Sequence, residues 1–309
     1  MKKLSRREFL SAAAGAGASL ALAGCGKGNP AAAVKAPVRT PKVDKGVLAV
    51  ASGNGPAKNA RAAVDALGGM GKFVRSGDFV VIKPNIAWNR LPAAAATTNP
   101  ELVAELVRMC KEAGAGRVLV VDHIIDRPAE GVLNFTGILA AAKGAGAEVR
   151  AAQNESDYET VAVPKGRLLT SDTCIKHILK ADVYINAPIA KTHGATGLTL
   201  GMKNQMGCNW DRQSWHQSGL DQCIADYATA VRPDLTVLDA NRILLTNGPK
   251  GPGETRDAGK VIAGVDPVAV DAYGATLFGM KPHEIGHIKL AHEQGVGEID
   301  LEKLTVRNA

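Results

Sequence analysis

Residues 99–123, NPELVAELVRMCKEAGAGRVLVVDH, decide the fold. Asn99 is a helix cap and Pro100 suits the first helical position. Leu102, Val103, Leu106, Val107 and Cys110 then recur at helical spacing, a single apolar stripe that should stop near Gly114. A short apolar run at 118–121 follows and ends in Asp122 and His123. An amphipathic helix leading into a wholly apolar strand is half of a strand–helix–strand unit, the building block of parallel sheets.

The same pattern extends in both directions. Apolar runs at 79–82, 183–185 and 235–238 end in Lys83-Pro84-Asn85, Asn186 and Asp239 respectively. Helical patterns are predicted over 132–143, 173–180, 220–231 and 267–277, the last capped by Asp266. This alternation specifies an α/β fold with a mostly parallel sheet and helices on both faces. Ligands of such sheets bind beyond the carboxyl ends of the strands, where Lys83, Asn85, Asp122, His123, Asn186 and Asp239 all fall.

The densest candidate site is residues 186–216, NAPIAKTHGATGLTLGMKNQMGCNWDRQSWH, expected as a polar, glycine-rich loop after a buried strand. Lys191, His193 and Lys203 supply acid/base groups and clamps for a carboxylate or phosphate. Lysine also forms covalent links to carbonyl groups when its pKa is lowered. Lys83, Asn85, Asn186, Asn204 and Asp239 are candidate binding groups for a cofactor or ligand, and Asp122 joins the catalytic candidates. The stretch 247–257, NGPKGPGETRD, offers Gly251 and Gly253 for an anion cradle, with Lys250 and Arg256 adding charge. His283-Glu284-Ile285-Gly286-His287 spells a bare zinc-binding order, but Pro282 and Gly286 put it at the very start of a helix, and His292 is offset from the usual third ligand.

Composition removes several classes. The net charge of +7 belongs to the N-terminal region: residues 1–24 carry +3 and residues 25–45 carry +4, leaving none on 46–309. With aromatics at 4%, that remainder offers no basic stripe and no stacking platform, so nucleic acid is not an expected partner. Cys110, Cys174, Cys208 and Cys223 show no C-x-x-C spacing, hence no intrinsic iron–sulfur motif. Cys110 lies on a helix stripe and reads as core, while the spacing leaves open whether Cys208 and Cys223 pair.

The chain starts with Ser5-Arg6-Arg7-Glu8-Phe9-Leu10, a twin-arginine signature, and a weakly apolar run to Leu22-Ala23-Gly24-Cys25. The expected organisation is a signal peptide over 1–24, a lipidated flexible tether over 25–45 and one domain over 46–309. The implied partners are the twin-arginine translocase, the lipoprotein-processing machinery and, through a lipidated Cys25, the periplasmic face of a bacterial membrane.

Lys83-Pro84-Asn85, Thr98-Asn99-Pro100, Lys191-Thr192-His193, Gly201-Met202-Lys203-Asn204, the Gly248–Gly251 turn and Asp266-Pro267-Val268-Ala269-Val270-Asp271, taken in order, resemble the domain of unknown function 362 family. A more distant similarity links His193, Lys203 and His216 to the histidine, cofactor-bearing lysine and metal-ligand histidine of nickel-pincer lactate racemases. That similarity implies an acid/base role for His193, a pyridinium-type cofactor on Lys203 and a divalent metal at His216, with racemase- or isomerase-like or oxidoreductase-associated chemistry. The expectation is an exported enzyme acting on a small anionic metabolite; the alternative is a non-catalytic anion-binding or redox-accessory lipoprotein.

The leader makes a direct prediction. In a bacterial host, Cys25→Ser should abolish incorporation of labelled fatty acid and release the protein from the membrane fraction. Equal labelling of both forms would remove Cys25 as the anchor.

Overall fold

The computed structural model describes residues 33–37 and 43–309. The expected signal peptide, Cys25 and most of the expected tether lie outside the described residues. Val34, within the tether segment, is docked: its N–H donates to the Thr160 carbonyl at 2.9 Å, and its carbonyl accepts from Ala162 N–H at 2.8 Å.

The strands are β1 (Val47–Ser52), β2 (Phe79–Pro84), β3 (Arg117–Asp122), β4 (Glu148–Ala151), β5 (Tyr158–Ala162), β6 (Ser171–Ile175), β7 (Val183–Ala187), β8 (Ile189–His193), β9 (Gly197–Thr199), β10 (Leu235–Leu244), β11 (Thr255–Gly264) and β12 (Thr305–Asn308). The main sheet runs β12-β1-β11-β10-β7-β2-β3-β4, with β8 pairing β10 and β9. From β10 to β4 the neighbours are parallel, whereas β11 is antiparallel to both β10 and β1. The mostly parallel sheet read from the sequence is therefore present, with an antiparallel strand inserted near one side.

Strand periodicity divides the core in two. Val80 and Ile82, Val118 and Val120, and Val183 and Ile185 face the cluster packed by the helices Pro56–Ala66, Pro100–Glu112 and Ile138–Gly144. Their neighbours Val81, Leu119, Val121 and Tyr184 face the other cluster, under the helices Leu220–Ala230, Pro267–Thr276 and Gly286–Glu293. The Pro100–Glu112 helix begins as its sequence demands: Asn99 Oδ1 accepts from Glu101 N–H at 2.9 Å. Its stripe of Leu102, Val103, Leu106, Val107 and Cys110 is fully buried, and each large side chain contributes roughly 1.5–3 kcal/mol by leaving water.

Three local expectations are corrected. Residues 171–175 form β6 instead of the start of a helix, because Thr160 to Ala162 on β5 offer an antiparallel partner and Thr173 Oγ1 bonds Asn209 Oδ1 at 2.7 Å; the helix covers only Lys176–Lys180. The helix expected over 132–143 is two, Ala129–Phe135 and Ile138–Gly144, broken where Gly137 takes φ 76°. Much of the expected loop at 186–216 is ordered and buried, as β8, β9, the short helix Gly201–Asn204 and the helix Arg212–Ser218. No disulfide joins Cys208 to Cys223; both are buried in the core.

Asp239 shows how the sheet and its covering helices are joined. One carboxylate oxygen accepts from Asn99 N–H at 2.8 Å and the other from Asn241 N–H and Nδ2, each at 3.1 Å. The side chain is almost wholly buried. Asp239→Ala should lower stability by about 3 kcal/mol, because buried donors lose their acceptor. Guanidinium unfolding checks this, and a loss under about 1 kcal/mol would show that water replaces the carboxylate.

Candidate functional site

A cavity of about 610 Å³ opens at the carboxyl ends of β2 and β3 and beside β8. It is lined by Lys83, Asn85, Asp122, Lys191, His193, Lys203, Asn204 and His216, so eight of the sequence candidates converge there. His123, Thr199, Met206, Trp210 and Arg212 complete much of the wall.

Its floor is a polar network. Lys83 Nζ, 1% exposed, bonds Asp122 Oδ1 and the Pro84 carbonyl at 2.8 Å each and Asn204 Oδ1 at 3.1 Å. Asp122 also accepts from Ile86 N–H and His123 N–H, both at 2.8 Å. Asp122 therefore holds Lys83 and shapes the strand exit. Asn204 Oδ1 also accepts from Asn85 Nδ2 at 2.9 Å, while its Nδ2 donates to Asn186 Oδ1 at 2.8 Å. A side chain at Gly207 would bring its Cβ within 2.6 Å of Asp122 Oδ1 and 2.9 Å of Lys83 Nζ, so only glycine fits over this ion pair.

Four expected binding residues do not line the cavity. Asn186 spends its amide on the Gly201 carbonyl, at 2.9 Å, and on Asn204, so it positions the loop. Asp239 is consumed by Asn99 and Asn241. Gly251 N–H bonds the Asn247 carbonyl, and Gly253 lies against Thr246, so the expected cradle is closed on itself. That loop contributes Pro249 to the cavity wall, while Lys250 pairs with Asp126 at 3.0 Å and sits over the Trp88 ring.

The two remaining lysines differ in their partners. Lys191 Nζ donates to the Ala96 carbonyl at 2.5 Å and to Asn85 Oδ1 at 3.1 Å. Burial, with Lys203 and Lys83 adding repulsion, holds it well below the usual lysine range. Its two contacts anchor Nζ beside Asn85 at the floor of the cavity. Among the described residues, the hydrogen-bond partner of Lys203 Nζ is the Met206 thioether at 3.2 Å alone. Burial pushes it down to about 8, assisted by Arg212 and Lys83. Among the described residues no carboxylate reaches Lys191, Lys203 or Arg212 at ion-pair distance.

The imidazoles are also tuned by burial. His193 is pushed down to about 3 by desolvation and then by Lys203 and Lys191. Its Nδ1 accepts from Ala195 N–H at 3.1 Å, which leaves Nε2–H as a neutral donor. His123, likewise pushed down to about 3 by burial and then Arg212, contacts the Tyr158 hydroxyl at 2.8 Å and stacks on Trp210. His216 is exposed at the rim. Among the described residues no three His, Cys, Asp or Glu side chains gather in a metal-holding group. His216 belongs to no such group. His283 and His287 diverge to Asp300 and Asp221, so the bare zinc-binding spelling forms no site either.

Sequence reasoning missed Asp271. Its two oxygens accept from Gly201 N–H at 2.6 Å and Met202 N–H at 2.9 Å, clamping the helix that carries Lys203. Burial pushes this carboxyl up to about 7. The available signal was an aspartate inside the otherwise apolar run of the Pro267–Thr276 helix. Arg212 had no comparable signal, because the loop that swings it to the cavity has no periodicity.

The model of the family described as Domain of unknown function (DUF362) matches residues 80–276, and the chain belongs to that family. The match runs from β2 to the end of the helix bearing Asp271. A thylakoid-associated protein of Synechocystis is 30% identical over 239 residues, spanning 73% of this chain and 70% of that protein. Among solved structures, a Thermotoga maritima protein shares 10% identity at TM-score 0.45, covering 78% of this chain and 60% of its own. The lactate racemase apoprotein of Thermoanaerobacterium thermosaccharolyticum shares 11% identity at TM-score 0.47, covering 78% and 58%. The chain thus spans less than two thirds of either solved protein, and at that likeness neither defines its chemistry.

Competitive acylation across a pH series, read by peptide mass, should give Lys203 a midpoint near pH 8. It is charged below that value and nucleophilic above it. A midpoint in the ordinary lysine range near 10.5 would show that the cavity does not lower its basicity.

Proposed function

We propose, from its membership of that family as premise, that this chain is an enzyme acting on a small anionic metabolite, a carboxylate or phosphate, held in the strand-end cavity. The carrying observation is the make-up of the wall: Lys83, Lys203 and Arg212 meet there with Lys191, against two carboxylates, Asp122 and Asp211, and Asp122 is paired with Lys83. A unit charge 4 Å from an anion is worth about 4 kcal/mol at an effective dielectric constant near 20. Among the described residues no carboxylate pairs with Arg212 or Lys203, so an anion entering this cavity meets both cations.

The chemistry that fits is proton transfer next to the anionic group. Lys191, its basicity lowered by burial and two of its N–H bonds fixed, supplies the amine that takes a proton. His193, fixed by Ala195 N–H, presents Nε2–H to a developing oxyanion, and its neutral state suits it to donate without first losing a charge. Lys83 and Asn204 hold the floor rigid. A lysine-linked organic cofactor has one suitable attachment point in this wall, Lys203.

Export by the twin-arginine route and anchoring through Cys25 belong to the same proposal. The Synechocystis relative's thylakoid association is in keeping with a membrane-side location.

Thermal unfolding with a panel of carboxylates and phosphates tests the binding part. Arg212→Ala and Lys203→Met should each weaken the stabilising anion about tenfold, roughly 1.4 kcal/mol. Wild-type affinity should fall as pH rises through about 8, where Lys203 loses its charge, and Lys203→Met should lack that step. Exchange of deuterium from solvent into the bound anion should be lost in His193→Gln and Lys191→Met. If no carboxylate or phosphate shifts the unfolding temperature, the proposal fails.

A further inference from the structure

Lys203 stands apart from every other amine around the cavity. Lys83 is engaged by Asp122, the Pro84 carbonyl and Asn204, and Lys191 by Ala96 and Asn85. Among the described residues Lys203 Nζ has only a thioether, a weak acceptor, as partner. Its backbone is held from both sides: Asp271 binds the N–H groups of Gly201 and Met202, Asn186 binds the Gly201 carbonyl, and the next residue, Asn204, is fixed to Lys83 and Asn85. The tip is therefore unengaged on a clamped base, which is the arrangement a nucleophile requires.

We infer that Lys203 is a nucleophilic amine which condenses with the carbonyl group of a small oxo acid or phosphorylated carbonyl compound to form an imine. This rests on the anion-site reading above, since Arg212 receives the carboxylate or phosphate, and it adds the second functional group that the ligand must carry. The lone pair of the unprotonated amine attacks the carbonyl carbon, forming the C–N bond as the C=O pair moves to oxygen. Oxygen takes a proton and nitrogen loses one, giving a carbinolamine; departure of its hydroxyl as water leaves the C=N bond. The balance is amine plus carbonyl to imine plus water, with no oxidant or reductant. His193 Nε2–H is the donor in this wall suited to the carbonyl oxygen. The lowered basicity of Lys203 leaves about a tenth of it unprotonated at pH 7.

The test uses the full-length protein with pyruvate, glyoxylate or dihydroxyacetone phosphate, followed by borohydride, which makes an imine permanent. The expected result is a single adduct, mapped by peptide mass to Lys203, at least about tenfold above that of Lys203→Arg, which keeps the charge but not the nucleophile. Pyruvate and glyoxylate distinguish an oxo-acid ligand from the phosphorylated class. Thermal shifts with lactate and inorganic phosphate run alongside. If these anions stabilise the protein but no carbonyl compound is trapped on Lys203, the imine inference is overturned and the anion site stands. Absence of both effects overturns both. A native protein that already carries another group covalently on Lys203 also overturns the inference, whereas wild-type mapping keeps it testable even if the variant folds poorly.

Discussion

The buried ion pair between Lys83 and Asp122 is the constraint on which the site depends. It joins the ends of β2 and β3, and Asn204 extends the connection to the short helix after β9. Breaking such a pair leaves an uncompensated charge in a region with little water, a loss of about 3–5 kcal/mol. Both partners are further satisfied, Lys83 by the Pro84 carbonyl and Asp122 by two backbone N–H groups, so the pair is held by geometry as well as charge. The neighbouring chain must then pass over it without a side chain, which is what Gly207 provides. One electrostatic contact thus fixes two strand exits and the identity of a residue far along the sequence.

The fold was legible where local pattern and tertiary role agree. In 79–123 each apolar run is a strand and the intervening stripe is a helix, because alternate strand residues and one helix face are buried together. It was illegible where a partner strand decided the outcome: Thr173 to Ile175 have no local preference strong enough to predict that β5 captures them. The candidate site was legible as a location, since polar residues at the ends of parallel strands must gather on one rim. Their roles were not. Asn186 and Asn204 carry the same side chain, yet Asn204 lines the cavity while Asn186, like Asp239 at another strand end, supports it from behind. Only the three-dimensional hydrogen-bond partners separate a ligand group from a brace.

Asp271 illustrates a different kind of hidden support. Its carboxylate reaches from the Pro267–Thr276 helix to the first two N–H groups of the Gly201–Asn204 helix, supplying acceptors that this short helix cannot provide for itself. Four residues form no stable helix alone. The position of Lys203 is therefore set by a residue that lies outside the cavity wall and nearly seventy positions later in the chain.

The cations around the cavity solve a shared problem in different ways, according to depth. Lys191, 1% exposed and without a carboxylate among the described residues, has its basicity held well below the usual lysine range by burial. Lys203, 8% exposed, is held near the point where charged and neutral forms are both accessible at physiological pH. Arg212 cannot deprotonate in practice, and it remains half-buried where water still reaches it. Under the anion-binding function proposed here, the gradient from a fully buried lysine inside to a permanent, half-buried cation outside orients the ligand, with its anionic end at Arg212 and its reactive end toward Lys203 and Lys191. Uniform lysines at equal depth would attract an anion without ordering it. It is the difference in burial among these side chains, more than their number, that turns a basic cavity into a directional one.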